Sequence, residues 1–365
     1  MPTQQQTYLD MELARQEIAF ACPECHGEVQ QHGAAHFCEK CGEVGRTIDG
    51  IPCFADPAYY WGEIPEEEMR QVNAAAVENG WQAAVQQHVS NPELRNYTTS
   101  LRRADFQHIW DLPRGSQVLD IGAGWGAIAH ALAQNFKVTA AEGVLERTRF
   151  IHTRARQTGA AVTPVCADFL RLPFAENQFD AVVLNGVVEW IGLARKTGDP
   201  RDLQLEFLRR VRQLLKPGGF ACIGIENRIG WAMLAGARDH SGLPYTSLMP
   251  RWMADYWCSR RNGGYRSDRN QGYRAYTYSL GGYHKLFREA GFAGVRTFHA
   301  WDGYNQPSTL IPLDNPHAVR HFLERLDRGQ MGWKGSLKNI GLSAAIRMGL
   351  WKRFASDYIF VAEKS

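Results

Sequence analysis

Two signatures set in tandem limit what this chain can fold into: a pair of cysteine knuckles, Cys22-Pro-Glu-Cys25 and Cys38-Glu-Lys-Cys41-Gly42, and then a glycine-rich strand exit, Val118-Leu-Asp120-Ile-Gly122-Ala-Gly124-Trp-Gly126. A C-x2-C knuckle presents two thiolates to one ion, and two such pairs with twelve residues between them supply a complete tetrahedral set. Four thiolates leave no open position. The spacing therefore predicts a structural metal, zinc first and rubredoxin-like iron as the alternative. A module of about 35 residues has too little core to fold alone, so the metal would supply much of its folding free energy. With four cysteines present, His26, His32 and His36 are expected at the surface rather than on the ion. Cys53, Cys166, Cys222 and Cys258 are scattered and are expected as ordinary buried thiols.

At 365 residues the chain is long enough for one catalytic domain plus a small appended module. Its net charge of +3 permits an anionic partner without requiring one. The N-terminal residues lack the basic and apolar regions of a secretory signal, and no apolar run approaches the ~18 residues that span a bilayer. A cytoplasmic location is the expectation.

From residue 114 onward, apolar runs alternate with helical patterns, which predicts an α/β sheet with helices on both faces. Seven strands are expected, near Gln117–Ile121, Lys137–Ala141, Ala161–Val165, Phe179–Asn185, Phe220–Ile225, Gly294–Ala300 and Asp357–Glu363. Helices are expected over Gly126–Asn135, Arg147–Thr158, Asp202–Leu215 and Leu280–Ala290. Residues 55–113 read as mostly helical, one helix opening at Pro65 and another at Asn91-Pro-Glu. These patterns predict a zinc ribbon over 1–54, a helical linker or cap over 55–113, and a catalytic domain over 114–365. That domain would carry insertions at about 228–278, a lid, and 301–356, a basic helical stretch.

Glycines after the first strand let a ligand approach the backbone at a helix N-terminus, where negative charge is favoured. Gly122-x-Gly124-x-x-Ala127 satisfies a dinucleotide pattern, so a dehydrogenase is one reading of the loop alone. The wider set is Asp120, Glu142 at the end of the second strand, Cys166-Ala-Asp168 after the third, and Leu215-Lys-Pro217-Gly-Gly219 before the fifth. Together these resemble the class I S-adenosylmethionine-dependent methyltransferases over roughly residues 105–300 and the last strand. The resemblance implies a seven-stranded Rossmann-like sheet, mostly parallel with the last strand antiparallel. It also implies roles. Asp120 with Gly122, Gly124 and Gly126 would hold the methionine part of S-adenosylmethionine, and Glu142, beside Gly143, would accept both ribose hydroxyls. Asp168 would accept from the adenine amino group, with Phe169 or Leu145 against the ring, while Asn185 and Gly186 would line the floor beneath the sulfonium. Separately, residues 20–54, with Thr47-Ile-Asp-Gly-Ile-Pro52, resemble the zinc ribbons of the activator subunit of tRNA and translation-factor methyltransferases and of rRNA guanine methyltransferases.

Methyl transfer is an in-line displacement, in which positioning alone can supply ~7–11 kcal/mol. An acceptor hydroxyl or amine also needs a base within hydrogen-bond reach. Candidates at strand ends are Glu189, Glu226 with Asn227, and then Asp239 and His240. The stretch from Arg228 to Tyr278 holds eight arginines, no lysine, three acidic residues and nine Trp or Tyr side chains. Arginine forks recognise phosphate or carboxylate and aromatic faces stack on rings, which suggests an anionic or ring-bearing acceptor; the same residues could instead pin a long loop to its domain. From Arg320 to Arg353 there are eight Lys or Arg and two acidic residues, interspersed with Leu337, Ile340, Leu342, Ile346, Leu350 and Trp351. Such a stretch, with Trp333, suits either an anionic membrane surface or packing on the protein itself.

The order of ribbon, helical segment, core and lid is similar to bacterial methyltransferases, some associated with surface-glycan or secondary-metabolite pathways. That resemblance implies methylation of an oxygen or nitrogen of a small-molecule or glycan acceptor, phosphorylated or lipid-linked ones included. RNA methylation is the alternative. No Asn-Pro-Pro-Tyr or Asp-Pro-Pro-Tyr motif follows the fourth strand, where Asn185-Gly-Val-Val stands instead. A non-catalytic adaptor is a third reading, against which the intact Asp120, Glu142 and Asp168 stand. The oligomeric state is not encoded in any of these patterns.

Overall fold

The computed structural model describes residues 18–195, 197–261, 272–329 and 350–365. The chain divides into two compact units, Met1–Val183 with Gln213–Gly219 and Leu184–Arg212 with Phe220–Ser365.

The first unit begins with four short strands, β1 (Gln30–His32), β2 (Ala35–Cys38), β3 (Gly42–Ile48) and β4 (Ile51–Cys53), each antiparallel to the next. Asp49 and Gly50 join β3 to β4 with φ of 51° and 78°. A two-residue hairpin needs two left-handed residues, and Asp-Gly tolerates that geometry. The ribbon is continuous with the larger sheet, because β4 pairs in parallel with β7 at Cys53 and Cys166. Beyond it lie β5 (Gln117–Ile121), β6 (Lys137–Glu142), β7 (Val162–Cys166) and β8 (Phe179–Asn185). These are parallel and run in the order β7-β6-β5-β8. Their central residues, Val118, Leu119, Ala140, Val165 and Val182 among them, are fully buried. Unbroken apolar runs of this kind belong to parallel sheets covered on both faces.

Ahead of β5 come α1 (Glu66–Asn79), α2 (Trp81–His88), α3 (Pro92–Thr99) and a 3-10 stretch over Leu101–Ile109. Pro65 precedes α1, three glutamates fill its first turn, and Gly80 ends it at φ 90°. The Asn91 side chain caps α3 by accepting from the backbone N–H of Glu93 and Leu94, at 2.8 and 3.4 Å. Met69, Val72, Trp81, Val85 and Leu94 then pack with Trp125 and Phe150. Through Trp125 the helical segment reaches the glycine loop, and through Phe150 it reaches α5 (Leu145–Thr158), the helix after α4 (Ala127–Leu132).

In the second unit the order is β9 (Leu215–Glu226), β12 (Asp357–Glu363), β10 (Gly294–Trp301) and β11 (Thr309–Pro312). β12 is antiparallel to both β9 and β10, and β11 is antiparallel to β10. Helices α6 (Pro200–Leu214) and α9 (Leu280–Glu289) fall where helical patterns predict them. The 228–278 stretch carries α7 (Trp231–Leu234) and α8 (Arg251–Arg260), and residues 262–271 of it lie outside the described residues.

Among the described residues there are twelve strands rather than the expected seven. All seven are present, three with the expected bounds, and the additions are the four ribbon strands and β11. β1, β2 and β4 have only three or four residues, too short to show alternation. β11 falls inside the 301–356 segment expected to be helical, ahead of α10 (Pro316–Gly329) and α11 (Trp351–Phe354). Trp333, Leu337, Ile340, Leu342 and Ile346 lie outside the described residues. Trp351 is buried, its ring 5.4 Å from His299 and 6.4 Å from Trp301, so this end of the basic stretch packs on its own unit. No helix among the described residues is long and apolar enough to cross a membrane.

Asn91→Ala removes one cap and touches no candidate site residue. It should cost ~1 kcal/mol of stability in denaturant unfolding and leave cofactor affinity unchanged; an effect below about 0.3 kcal/mol would show that the cap contributes little.

Candidate active site

The cysteine knuckles converge. One thiol sulfur from each of Cys22, Cys25, Cys38 and Cys41 lies within 4.8 Å of the others, and the Cys25 and Cys38 Sγ atoms are 3.6 Å apart. A tetrahedral ion with zinc–sulfur bonds near 2.3 Å sets its thiolates ~3.8 Å apart, so the four residues fit one. His36 departs from expectation: it is buried, with Nε2 3.1 Å from Thr47 Oγ1 and its ring against Phe20 and Phe54. It belongs to the small apolar core of the ribbon and does not join the cysteines.

The glycine loop sits at the end of β5. Gly122, Gly124 and Gly126 have φ of 70°, 57° and 75°, a run that side chains with a Cβ rarely adopt. A Cβ on Gly126 would meet Ile151 at 2.9 Å, whereas one on Gly124 would meet nothing within 4 Å. The loop is therefore tight on its helix side and open above Gly124. Between these two glycines Trp125 turns into the core, where its indole Nε1 donates to Glu63 at 3.0 Å.

Glu142, at the end of β6, is 4% exposed. Its Oε2 accepts from Gly124 N–H at 2.8 Å and its Oε1 from Val144 N–H at 3.1 Å. The buried Arg147 lies 3.9 Å away and also contacts Glu63. Burial raises the Glu142 pKa, with the Arg147 charge opposing. Asp120 is 2% exposed, and its Oδ2 has no hydrogen-bond partner. Burial lifts its pKa from 3.8 to about 7, against the lowering effect of Arg103 and with a further push from Glu142. A buried carboxylate with an oxygen left over fits a ligand that brings a cationic amino group.

Gly143 comes directly after Glu142, and a Cβ there would lie 3.7 Å from the Phe169 ring, which gives the second carboxylate an apolar neighbour. Asp168 caps its own turn, Oδ1 accepting from Leu170 N–H at 2.9 Å, while Oδ2 is 3.5 Å from Arg171 Nε. Leu145 is 4% exposed. It is buried with Ile51, Cys53 and Cys166, where β4 joins the sheet.

The second unit gathers Glu189, Glu226 and His240, which sequence spacing leaves far apart. Glu189 lies on a 3-10 turn over Val188–Leu193, which the Gln204 side chain anchors by donating to Val188 O at 2.8 Å. Glu226 ends β9. His240 rides on a loop stitched by an Asp239–Ser241 turn, by Tyr273 OH donating to Asp239 at 3.0 Å, and by a bridge from Arg238 to Pro244. His240 Nε2 is 3.2 Å from Glu226 Oε1 and 3.7 Å from Glu189 Oε1. The contacts are electrostatic, since neither is aligned as a hydrogen bond. Both Glu189 oxygens and Glu226 Oε2 are buried with no partner among the described residues.

Burial raises the Glu189 pKa to about 8, helped by Glu226. Burial would lower His240, but the charges of Glu226, Glu189 and Asp239 raise it to about 9. Glu226 is held low by the His240 charge despite its burial. Near neutral pH, in the absence of a ligand, the ionised pair is thus Glu226 with His240.

Other candidates resolve into supports. Asn227 is fully buried, its amide donating to Arg353 O, Ala355 O and Tyr358 OH. Asp239 is committed to its turn. Asn185, 9% exposed, donates to Asn305 Oδ1 at 3.3 Å and leaves its own Oδ1 unpartnered; Gly186 beside it has φ of 72°. Sequence reasoning missed Tyr304, whose hydroxyl donates to Glu226 Oε1 at 3.0 Å, and the Glu63–Arg147 pair behind Glu142. The signal for Tyr304 is its place in Asp302-Gly303-Tyr304, a left-handed turn directly after a strand.

Residues 119–223 match the family model described as a methyltransferase domain. Ubiquinone biosynthesis O-methyltransferase of Cereibacter sphaeroides is 30% identical over 145 residues, 39% of this chain and 55% of that protein. Cyclopropane-fatty-acyl-phospholipid synthase of Escherichia coli is 35% identical over 81 residues, 22% of this chain and 20% of that protein. The chain therefore spans about half of the first relative and a fifth of the second. Among solved structures, Haemonchus contortus phosphoethanolamine N-methyltransferase 2 in complex with S-adenosyl-L-methionine aligns at 14% identity and a TM-score of 0.43, over 80% of this chain and 60% of that one.

A ligand ammonium favours ionised Asp120. The folded-state pKa is raised, so in the free protein the stability associated with the Asp120 proton is present at low pH and lost as pH rises through about 7. Affinity for S-adenosylhomocysteine should accordingly rise about tenfold from pH 6 to pH 8 by calorimetry, and Asp120→Asn should bind more weakly with a flat profile. A wild-type profile equally flat would remove Asp120 from the binding site.

Proposed function

We infer that the protein transfers a methyl group from S-adenosylmethionine to an oxygen or nitrogen of a small-molecule or carbohydrate-type acceptor. What carries the reading is the conjunction of the Asp120 carboxylate, the open glycine loop and Glu142 within the matched residues 119–223. When bound, the cofactor supplies an electrophilic methyl whose displacement breaks a sulfur–carbon bond, forms an oxygen–carbon or nitrogen–carbon bond and leaves a neutral thioether.

The chain's own groups divide the remaining tasks. Asp120 and the Gly122–Gly126 loop would hold the methionine part, the carboxylate taking its ammonium. Glu142 keeps a lone pair on each oxygen for the ribose hydroxyls, its backbone donors and Arg147 fixing the carboxylate plane. Phe169 and Asp168 would serve the adenine. The acceptor's O–H or N–H donates to an unpartnered oxygen of Glu226 or Glu189, with His240 and Tyr304 holding those carboxylates in place. Cys22, Cys25, Cys38 and Cys41 hold a structural zinc. The similarity to an O-methyltransferase of ubiquinone biosynthesis goes with a small acceptor.

Incubation with methyl-labelled S-adenosylmethionine and a fractionated lysate should place label in the small-molecule or glycolipid fraction. Label confined to RNA would replace this reading with RNA methylation, and none in any fraction would end it. Glu142→Ala should abolish cofactor binding; retention of normal affinity would withdraw its ribose role. Metal analysis should find one zinc per chain, lost in Cys38→Ser together with protease resistance of the ribbon. A Cys38→Ser protein that keeps its zinc would remove that residue from the ligand set.

A further inference from the structure

Glu189, Glu226 and His240 pose a question that proton chemistry alone does not answer. Three ligand atoms, one from each, lie within 4.8 Å of one another, yet no two are aligned as a hydrogen bond. Glu189 is fully buried with both oxygens unpartnered, and Glu226 Oε2 is also without a partner. Native interiors rarely leave such groups unsatisfied, and each asks for a missing donor or cation.

We propose that Glu189, Glu226 and His240 bind a divalent cation. At metal–ligand distances of 2.0–2.2 Å, neighbouring ligands of one ion sit ~3.0–3.5 Å apart. His240 Nε2 is 3.2 Å from Glu226 Oε1 and 3.7 Å from Glu189 Oε1, so only small side-chain shifts are needed. Two carboxylates and a neutral imidazole balance the charge of a divalent ion, which offsets part of the cost of holding these groups away from water. Bound metal would take the place of the protons these groups share without it. Mixed oxygen and nitrogen ligation suits manganese or zinc, in contrast to the four-thiolate set of the ribbon, which selects soft ions.

Three protein ligands also leave coordination positions open, the mark of a site that receives a further ligand. Glu226 and His240 line a cavity of about 370 Å³ with Met233, Arg238, Asp239 and Thr277, so an oxygen ligand has room beside them. Tyr304 and Trp190 brace the set, the first donating to Glu226 and the second edge-on to the His240 ring at 4.6 Å. Resting on the methyltransferase reading, the ion would hold the acceptor by an oxygen and favour its deprotonation, which narrows the acceptor to hydroxyl compounds.

Manganese is the useful probe because the ribbon thiolates disfavour it and its free form is counted directly by electron paramagnetic resonance. Full-length protein in metal-depleted buffer should bind one Mn2+ per chain, and Glu189→Gln and His240→Ala should each weaken binding by about tenfold or more. Circular dichroism and S-adenosylhomocysteine binding check that each variant is folded, and His240, on a loop, is the variant that tolerates truncation. The absence of saturable Mn2+ binding, or equal binding by wild type and His240→Ala, overturns the proposal. Because Mn2+ is titrated with no acceptor present, a failed methyl-transfer assay defeats the enzymatic reading without touching this one.

Discussion

Four carboxylates withdrawn from water, Asp120, Glu142, Glu189 and Glu226, set the terms for the rest of the structure. An ionised carboxylate in a protein interior costs several kcal/mol unless a counter-charge or several donors accompany it. Each carboxylate lies at or just beyond the C-terminal end of a strand, where backbone pairing no longer competes for its oxygens. Parallel sheets place ligands at those ends for the same reason. The compensation differs by unit. Glu142 receives two backbone donors and a buried guanidinium, Asp120 has the charge of Arg103 and a backbone donor at Ala129, and Glu226 has an imidazolium and the Tyr304 hydroxyl. Where compensation is thinnest, at Asp120 and Glu189, burial moves the pKa most clearly upward. Those are the places where a charged ligand gains most by entering.

The helical segment thereby acquires a purpose beyond covering the sheet. Glu63 engages both the Trp125 indole and Arg147, so the segment fixes the glycine loop and the guanidinium behind Glu142 at once. Arg103, from the 3-10 stretch, lowers the Asp120 pKa. Apolar packing of Met69, Val72 and Trp81 against Trp125 and Phe150 supplies the rigidity that such charge pairs need, since a mobile guanidinium would be screened by water.

Much of the first unit is legible in the sequence because its signals are local. Asp120, Gly122, Gly124 and Glu142 are marked by strand ends and glycine spacing, and the seven expected strands are all present because each is a buried apolar run long enough to read. The cysteine knuckles announce their own convergence. Features that depend on distant residues meeting are illegible. Nothing near Glu63 marks it as the partner of Arg147, and nothing in the ribbon says that β4 continues the sheet beside β7. His36 is expected at the surface because four cysteines already complete the ligand set, although Phe20 and Phe54 bury it from outside its own strand. Glu189, Glu226 and His240 each read as strand-end or loop polar residues, but only the fold makes them a cluster.

The lid shows how a composition signal can be misread. Eight arginines without a lysine suggest an anion to be bound, yet the described arginines act chiefly as staples. Arg228 spans two carbonyls, donating to Ser247 O at 2.6 Å and Met249 O at 2.8 Å, and Arg274 does the same with Gly192 O at 2.7 Å and Gly198 O at 3.0 Å. Arg251 donates to Thr277 O while lying over the Tyr276 ring at 3.9 Å. A planar fork can join two carbonyls of an irregular loop and stack on an aromatic face, whereas a lysine ammonium offers neither geometry. The absence of lysine therefore reflects the loop's need to satisfy its own backbone, and says little about the charge of the acceptor. Among the described arginines of this stretch, Arg238 lines the cavity, where its charge bears on what enters.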